Sequence, residues 1–196
     1  NINRLLTTYL NYNKYFESWK SNVDATVGYD YQYWKTTSPA YEEFNTLGVS
    51  QSSIAASDQR HVLLSYYARL NYSFDSRYML TATVRRDGTS RFSADNRWGT
   101  FPSVALGWRV TEEDFLQDNP VLSNLKLRAS YGVTGQQDGI GNYNYLPVYT
   151  VSQTGAEAMF GTEYHHTFRP EAYVSNLKWE TTTSWNAGFD FGFLDD

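Results

Sequence analysis

The feature that most constrains this chain is an alternation of apolar and polar residues that runs longer than an ordinary soluble strand. Between residues 177 and 193, every second residue belongs to one largely apolar series. That series is Leu177, Trp179, Thr181, Thr183, Trp185, Ala187, Phe189, Phe191 and Phe193. Residues 125–133 alternate in the same way. Because successive side chains of a strand point to opposite faces, each stretch predicts a strand with one apolar and one polar face.

Five further segments alternate similarly, and together the seven predict a fold that is all-β and antiparallel. The five segments are about 5–14, 22–34, 61–75, 77–91 and 99–110. No window of comparable length has the 3.6-residue period of a helix. The sequence predicts one short helical turn, over Glu112–Gln117, with Thr111 placed to cap it.

The connections between these strands are of two kinds. Asp75-Ser76 predicts a tight turn between two long strands, and Lys20-Ser21 predicts another between the first pair. In contrast, the segments 35–60 and 135–175 are long, polar and rich in Gly, Ser, Thr, Asn and Tyr. Short turns that alternate with long loops are typical of outer-membrane barrels, whose longer loops lie outside the cell.

Strand length and aromatic placement distinguish a transmembrane barrel from a soluble sandwich. A strand that spans a bilayer needs about 9–11 residues, whereas soluble strands are commonest near about 5–6. Aromatic residues make up 17% of the chain and gather near strand ends, as at 29–34 and 189–193. Such clusters are typical of the aromatic girdles at membrane interfaces. The pattern favours a barrel, and a soluble β-sandwich that acts as an adhesin or interaction module stays open as an alternative.

Composition excludes several classes of function. The chain has no cysteine, which rules out disulfides, thiolate metal sites and cysteine nucleophiles. Its formal charge is −5, and no basic stripe is present, so we do not expect it to bind nucleic acid. The adjacent His165 and His166 are not expected to form a metal site, since neighbouring strand positions point to opposite faces. We expect no cofactor, no catalytic residue and no enzymatic activity.

Four long strings in the sequence resemble one family. They are RYMLTATVRRDGTSRF (77–92), NRWGTFPSVALGWRVTEEDFL (96–116), LKLRASYGVTGQQDGIGNYNYLP (125–147) and LKWETTTSWNAGFDFGFL (177–194). In this order they resemble the barrel region of SusC/RagA-type TonB-linked outer-membrane transporters of Bacteroidota. Residues 1–76 resemble the family more loosely. The resemblance keeps Asp87-Gly88 inside one strand, although this dipeptide alone would predict a hairpin turn.

The resemblance implies a large plugged barrel of about 22 strands in the outer membrane. Members import oligosaccharides or peptides with energy delivered through TonB, usually beneath a SusD-like surface lipoprotein. We therefore expect residues 1–196 to be a partial transmembrane β-barrel of about seven strands, with the plug and the remaining strands outside this chain. Outer-membrane lipid, the lipoprotein, TonB and the substrate are the expected partners. A siderophore or cobalamin receptor on the same barrel plan is the nearest alternative.

Aromatic residues in or beside the long loops are the candidate ligand contacts. They are Trp34, Tyr143, Tyr145, Tyr149 and Tyr164, with Tyr41 as a further loop aromatic. Flat aromatic faces bind sugar rings and apolar peptide side chains, while a hydroxyl group can still form hydrogen bonds. Packing at the membrane edge is the structural alternative for each of them.

The alternation also predicts which side chains face lipid. We expect an outward group at Leu125, Leu127, Tyr131, Trp179, Trp185 and Phe189, and an inward group at Lys126, Arg128, Lys178 and Glu180.

Overall fold

The computed structural model describes residues 1–116, 121–152 and 155–194. Its main element is an antiparallel sheet of seven long strands, which we call the wall. In chain order its strands are β1 (Ile2–Phe16), β2 (Ser21–Ser38), β5 (Ser57–Phe74), β6 (Tyr78–Thr89), β7 (Trp98–Arg109), β8 (Leu122–Gln136) and β13 (Glu180–Phe193). They lie side by side in the order β1-β2-β5-β6-β7-β8-β13. The seven predicted strands are therefore confirmed, each longer than a membrane-spanning strand requires.

Six short strands form three hairpin-like pairs within the long connections. They are β3 (Tyr41–Phe44), β4 (Ser50–Ile54), β9 (Tyr149–Val151), β10 (Ala158–Phe160), β11 (Glu163–His165) and β12 (Phe168–Pro170). β3 pairs with β4, β10 with β11, and β9 with β12. All six lie at one end of the wall, which we call the loop end. The opposite end, where the connections are short, is the turn end.

Strand register divides the wall into two faces, because residues directly opposite each other in an antiparallel pair lie on the same side. One face carries most of the charge, including Asp24, Asp30, Arg69, Arg85, Lys126, Arg128 and Asp190. Ion pairs form across it, as between Arg128 and Asp190 at 2.8 Å. We call this the interior face, since barrels of the outer membrane keep polar side chains inside.

The opposite, outward face is apolar and largely uncovered. Leu10 is 73% exposed, Phe189 is 63% exposed and Trp185 is 76% exposed. Exposed apolar patches on soluble monomers rarely exceed a few hundred Å². A continuous apolar face over seven long strands is instead the surface that a barrel presents to lipid. No helix within 1–116, 121–152 and 155–194 is long and apolar enough to cross a membrane.

The prediction that Trp179 faces lipid is wrong. β13 begins at Glu180, so the strand alternation does not extend to Trp179, and its indole is buried against Phe92 and Phe101. The ring centroids of Trp179 lie 5.7 Å from Phe92 and 5.2 Å from Phe101. Leu63 and Val133 also pack on this cluster. Trp179 therefore anchors the loop end instead of the lipid surface.

The tight turn at Asp75-Ser76 has the backbone that its sequence predicts. Asp75 and Ser76 both have positive φ, at 50° and 55°, and the Arg77 N–H donates to the Phe74 carbonyl at 3.0 Å. Two successive positive φ values define the type I′ turn, which matches the twist of the strands it joins. The tight turn predicted at Lys20-Ser21 is wrong, because the first hairpin closes through a 3₁₀ turn, Glu17–Trp19, with Lys20 as its C-cap, and Ser21 already begins β2. Asp87 and Gly88 lie inside β6, as expected.

The predicted helical turn at Glu112–Gln117 is wrong in position and type. A 3₁₀ turn covers Val110–Glu112, with no side-chain cap, and Gln117 lies outside the described residues. The Thr111 hydroxyl accepts a hydrogen bond from the Leu125 N–H at 3.3 Å instead of capping a helix. The acidic residues after the turn contact side chains of neighbouring strands and turns, as Glu113 does with Tyr78 and Trp108. Their charges therefore do not mark the start of a helix.

Candidate functional site

The loop that follows β8 folds back across the loop end of β5. The Arg60 N–H donates to the hydroxyl oxygen of Tyr143 at 3.1 Å. Next to it, the amide of Asn142 donates to the side-chain oxygen of Gln59 at 3.4 Å. These contacts join residues 83 positions apart in the sequence. They place the loop beside the interior face at the point where β2 and β5 end.

An aromatic pair forms the floor of the space beneath this loop. Trp34 of β2 and His61 of β5 are cross-strand partners, and their rings stack at 4.8 Å with planes 11° apart. Both residues occupy the interior register of their strands. The buried His61 ring is held from the other side, because its Nε2 lies 3.1 Å from the Thr89 hydroxyl. The position of the Trp34 indole is therefore fixed by β5 and β6 together.

Polar groups surround the Trp34 indole in a pocket of about 470 Å³. Arg91 lines this pocket, and it donates to the Gln137 carbonyl at 3.1 Å and to the Asn142 side-chain oxygen at 3.4 Å. Its guanidinium also lies 3.8 Å from the Asp138 carboxylate. The side-chain oxygen of Gln137 is buried and has no hydrogen-bond partner among the described residues.

This arrangement combines one flat aromatic surface with a small set of fixed donors and acceptors. Such pockets orient ligands by a few polar groups while burying apolar area against a ring. Charge within the pocket is balanced, since Arg91 faces Asp138. The geometry therefore suits a neutral, hydrogen-bonding ligand better than a highly charged one.

The structure brings together only part of the predicted ligand set. Trp34 lines the pocket, and Tyr143 lies beside it with its hydroxyl already bound to the backbone of Arg60. Tyr145 is half-buried in the same loop and does not line the pocket. Tyr149 lies in β9 and Tyr164 in β11, and both are exposed outside the pocket.

Sequence reasoning missed the polar residues of the pocket. His61 could have been found, because it continues the interior register of β5 next to the loop. Arg91 and Gln137 carry no local pattern that marks them. They meet only because the connection after β6 and the connection after β8 pack on the same buried cluster.

The rest of the long loop is held by its own polar contacts. The imidazole Nε2 of His166 lies 3.2 Å from Glu157, and its Nδ1 lies 3.1 Å from the Ser152 carbonyl. Glu171 accepts hydrogen bonds from Thr150 and from Arg169. The Thr150 bond, followed by that from Arg169, lowers the pKa of Glu171 below its ordinary value. The contact of His166 with Ser152 and the contact of Thr150 with Glu171 each join a residue in or near β9 to a residue near β12.

Comparison with known proteins shows that this chain is similar to TonB-dependent receptors. Residues 2–196 match a family model described as TonB dependent receptor-like, beta-barrel. The TonB-dependent receptor SusC of Bacteroides thetaiotaomicron is 58% identical over 136 residues, which cover 69% of this chain and 14% of SusC. The TonB-dependent receptor P39 of Formosa agariphila is 32% identical over 198 residues, which cover 95% of this chain and 18% of that receptor.

Solved structures give the same result for the fold. The RagAB peptide importer in its 'open-open' state superposes on 98% of this chain with a TM-score of 0.76 and 26% sequence identity. The matched region is 22% of the solved chain. This chain therefore spans less than a quarter of each of these relatives.

Proposed function

Because this chain belongs to the TonB dependent receptor-like β-barrel family, we propose that it is part of an active transporter that imports oligosaccharides or peptides. Its wall is a section of an outer-membrane β-barrel. Similarity to SusC, a TonB-dependent receptor, supports the TonB-linked role, and similarity to the RagAB peptide importer supports peptides as a substrate class. The proposal assigns residues 1–196 to the barrel domain alone.

The proposal includes two protein partners. A SusD-like surface lipoprotein would cover the loop end, and TonB would supply energy from the periplasmic side through parts of the transporter that this chain does not contain. The support is similarity to SusC and RagAB, together with long loops gathered at one end of the wall. It includes no catalytic step and no cofactor.

The observation that carries the proposal is the Trp34 pocket on the interior face. An importer must hold a hydrated substrate weakly inside its barrel, and an aromatic ring beside amide and guanidinium groups does this for sugars and for peptide bonds. We propose Trp34 as the main contact. Tyr143, Tyr145, Tyr149 and Tyr164 are proposed as additional contacts along the loops.

Uptake by living cells tests this function. Cells that lack the receptor receive the full-length gene and are given labelled oligosaccharides, peptides and a ferric siderophore. We expect uptake of an oligosaccharide or a peptide, and we expect it to vanish when tonB is deleted. Uptake of the ferric siderophore alone, or uptake that persists without TonB, would overturn the proposal.

A matched pair of variants tests the pocket. Trp34→Ala should reduce uptake at limiting substrate roughly twofold to twelvefold, since one aromatic contact contributes about 0.5–1.5 kcal/mol. Tyr31→Ala is the control, because Tyr31 lies on the same strand in the outward register. The amount of receptor in the outer membrane is measured for both variants. Equal uptake by the two variants at equal receptor levels would remove Trp34 from the substrate path.

A further inference from the structure

The outward face is apolar along most of its length but carries a group of cations at the loop end. The register of β1, β2, β5 and β6 puts four basic side chains on this face at the loop end, whereas Lys14 is an outward cation at the turn end. The four at the loop end are Arg4, Lys35, Arg60 and Arg86. Asp58 is the one carboxylate that the register places on the outward face of the wall strands, all of which are described. This border therefore carries a charge of about +3 on a chain whose formal charge is −5.

Two of these cations lack an anionic partner. Lys35 and Arg60 share Asp58, at 3.0 Å and 2.8 Å. Within the described ranges, the side chains of Arg4 and Arg86 make no ion pair and no hydrogen bond. Each lies over an aromatic ring instead: Arg4 is 5.9 Å from the Tyr33 centroid, and Arg86 is 5.3 Å from the Trp98 centroid.

Of the four cations, Arg86 lies beside the largest group of aromatic rings, which is formed by Trp98, Tyr66 and Tyr29. Trp98 stacks at 6.1 Å on Tyr66, the cross-strand partner of Arg86, and Tyr66 contacts Tyr29 at 5.3 Å. The guanidinium is exposed, with one face towards Trp98 and its donors free for a second partner. A planar cation held on an aromatic ring loses little conformational freedom when it binds an anion.

The depth of this site follows from β7. Trp98 and Trp108 lie on the same outward face of that strand, ten residues apart. A rise of about 3.4 Å per residue gives roughly 34 Å along the strand. A tilt of about 40° reduces this distance to a height near the ~25 Å of a barrel's apolar band. The two tryptophans therefore mark the two borders of the membrane, and Arg86 lies at the outer one.

We propose that Arg86, stacked on Trp98, binds a phosphate group of a phosphorylated glycolipid in the outer leaflet, and that Arg4, Lys35 and Arg60 attract the same lipids along this border. Charge complementarity selects an anion, and position selects a lipid, because the site faces the membrane and not the barrel interior. Arginine suits phosphate because its planar donors bind two oxygens at once. The inference requires only that the wall lies in the outer membrane, and it is independent of the transported substrate.

Lipid binding to the purified full-length receptor tests this inference. The receptor in detergent is titrated with lipid A, with dephosphorylated lipid A and with inorganic phosphate, and bound molecules are counted by native mass spectrometry. We expect lipid A to bind and Arg86→Gln to weaken it about tenfold. Arg69→Gln is the control, because Arg69 is an arginine of the interior face. Dephosphorylated lipid A and inorganic phosphate should bind at least tenfold more weakly than lipid A.

Three results would overturn the inference: equal binding of lipid A by wild type and Arg86→Gln, equal binding of lipid A with and without its phosphate, or equal losses in Arg86→Gln and Arg69→Gln. If Arg86→Gln fails to reach the membrane, the comparison of the two lipids on wild type decides. Arg86→Lys adds a second test in that case, because it keeps the charge and should retain part of the affinity. Substrate uptake is measured alongside, so a failure of the transport proposal is seen separately.

Discussion

The two ends of the wall are stabilised by different means. At the turn end, the three connections between strands contact one another directly. The Asp75 N–H donates to the Lys20 carbonyl at 2.7 Å, and the Arg109 N–H donates to the Arg77 carbonyl at 2.8 Å. The Arg77 guanidinium lies 3.3 Å from Asp75 and 3.4 Å from Glu113. Every partner here belongs to a turn or to a strand end beside one.

At the loop end, the long connections depend on a buried aromatic cluster. Trp179 packs edge-on against Phe92 and Phe101, and its Nε1–H donates to the Arg97 carbonyl at 3.0 Å, across 82 positions of sequence. One cluster therefore fixes the start of β13 and the connection between β6 and β7. The turn end is therefore held by contacts among neighbouring turns, whereas the loop end is held by a few buried anchors in long connections.

Loss of the aromatic anchor should have the largest effect, and it should be confined to the loop end. Trp179→Ala removes a buried indole, a type of change that costs about 3–5 kcal/mol. We expect protease cleavage within 137–179 of the full-length receptor to accelerate strongly, with cleavage at the turn end unchanged. Trp185→Ala, which alters an exposed outward tryptophan, is the control. Equal protection of the loops in both variants would refute the anchor role.

An arginine introduced on the outward face midway between the two ends should impair folding of the whole wall in the membrane. Ala129 is the central residue of β8 and faces outward, while the next residue, Ser130, faces the interior. An arginine near the bilayer midplane costs about 2–4 kcal/mol on the lipid face of a barrel. Ala129→Arg should therefore reduce the folded receptor in the outer membrane, measured by heat-modifiable gel mobility, far more than Ser130→Arg. Equal tolerance at these adjacent positions would contradict the assignment of the faces.

Removal of the central cation at the turn end should have a smaller, local effect. Arg77 contacts three carboxylates, those of Asp75, Glu113 and Asp114. Partly exposed ion pairs contribute little each, so we expect Arg77→Gln to lower the free energy of unfolding by about 1 kcal/mol. Urea unfolding of the purified receptor measures this change. A loss as large as that of Trp179→Ala would mean that the turn end is not a set of weak local ties.

Acidification should weaken the turn end slightly through Glu113. Hydrogen bonds from the Tyr78 hydroxyl at 2.5 Å and the Trp108 indole at 2.9 Å lower the pKa of Glu113 below its ordinary value. A depressed pKa in the folded state stabilises the fold above the ordinary pKa, and this contribution is lost as the pH falls through the folded value. The stability difference between wild type and Glu113→Gln should thus shrink on acidification. Glu112→Gln, which alters an exposed neighbouring carboxylate, is the control.

The sequence was sufficient for the parts of this fold that depend on neighbouring residues. Alternation located all seven wall strands, and Asp75-Ser76 located a tight turn, because both are determined by side-chain direction and local backbone preference. The alternation failed at Trp179, because the pattern extends in sequence before Glu180, the first residue of β13. A strand end is determined by the partner strand and by tertiary packing, and neither is visible in the pattern itself.

The candidate site was predictable only in part for the same reason. Trp34 was named as an aromatic residue beside a long loop, and the structure places it in the lining of a pocket there; its contact with substrate stays a prediction. The polar groups around it come from separate connections that meet in space, as Arg91 and Gln137 do. The predicted acidic helix start failed because Glu113 binds Tyr78 and Trp108, residues of two different strands.

We propose that the loop end determines what the full-length transporter imports, while the wall and the turn end form the scaffold. Exchange of residues 137–178, which leaves Trp179 in place, for the equivalent segment of a relative with a different substrate tests this proposal most directly. Uptake of labelled oligosaccharides and peptides is measured in cells that carry the full-length chimera, with outer-membrane levels checked in parallel. We expect normal levels and a shifted substrate preference, because surface loops on a rigid scaffold usually carry binding. An unchanged preference at normal levels would contradict the claim.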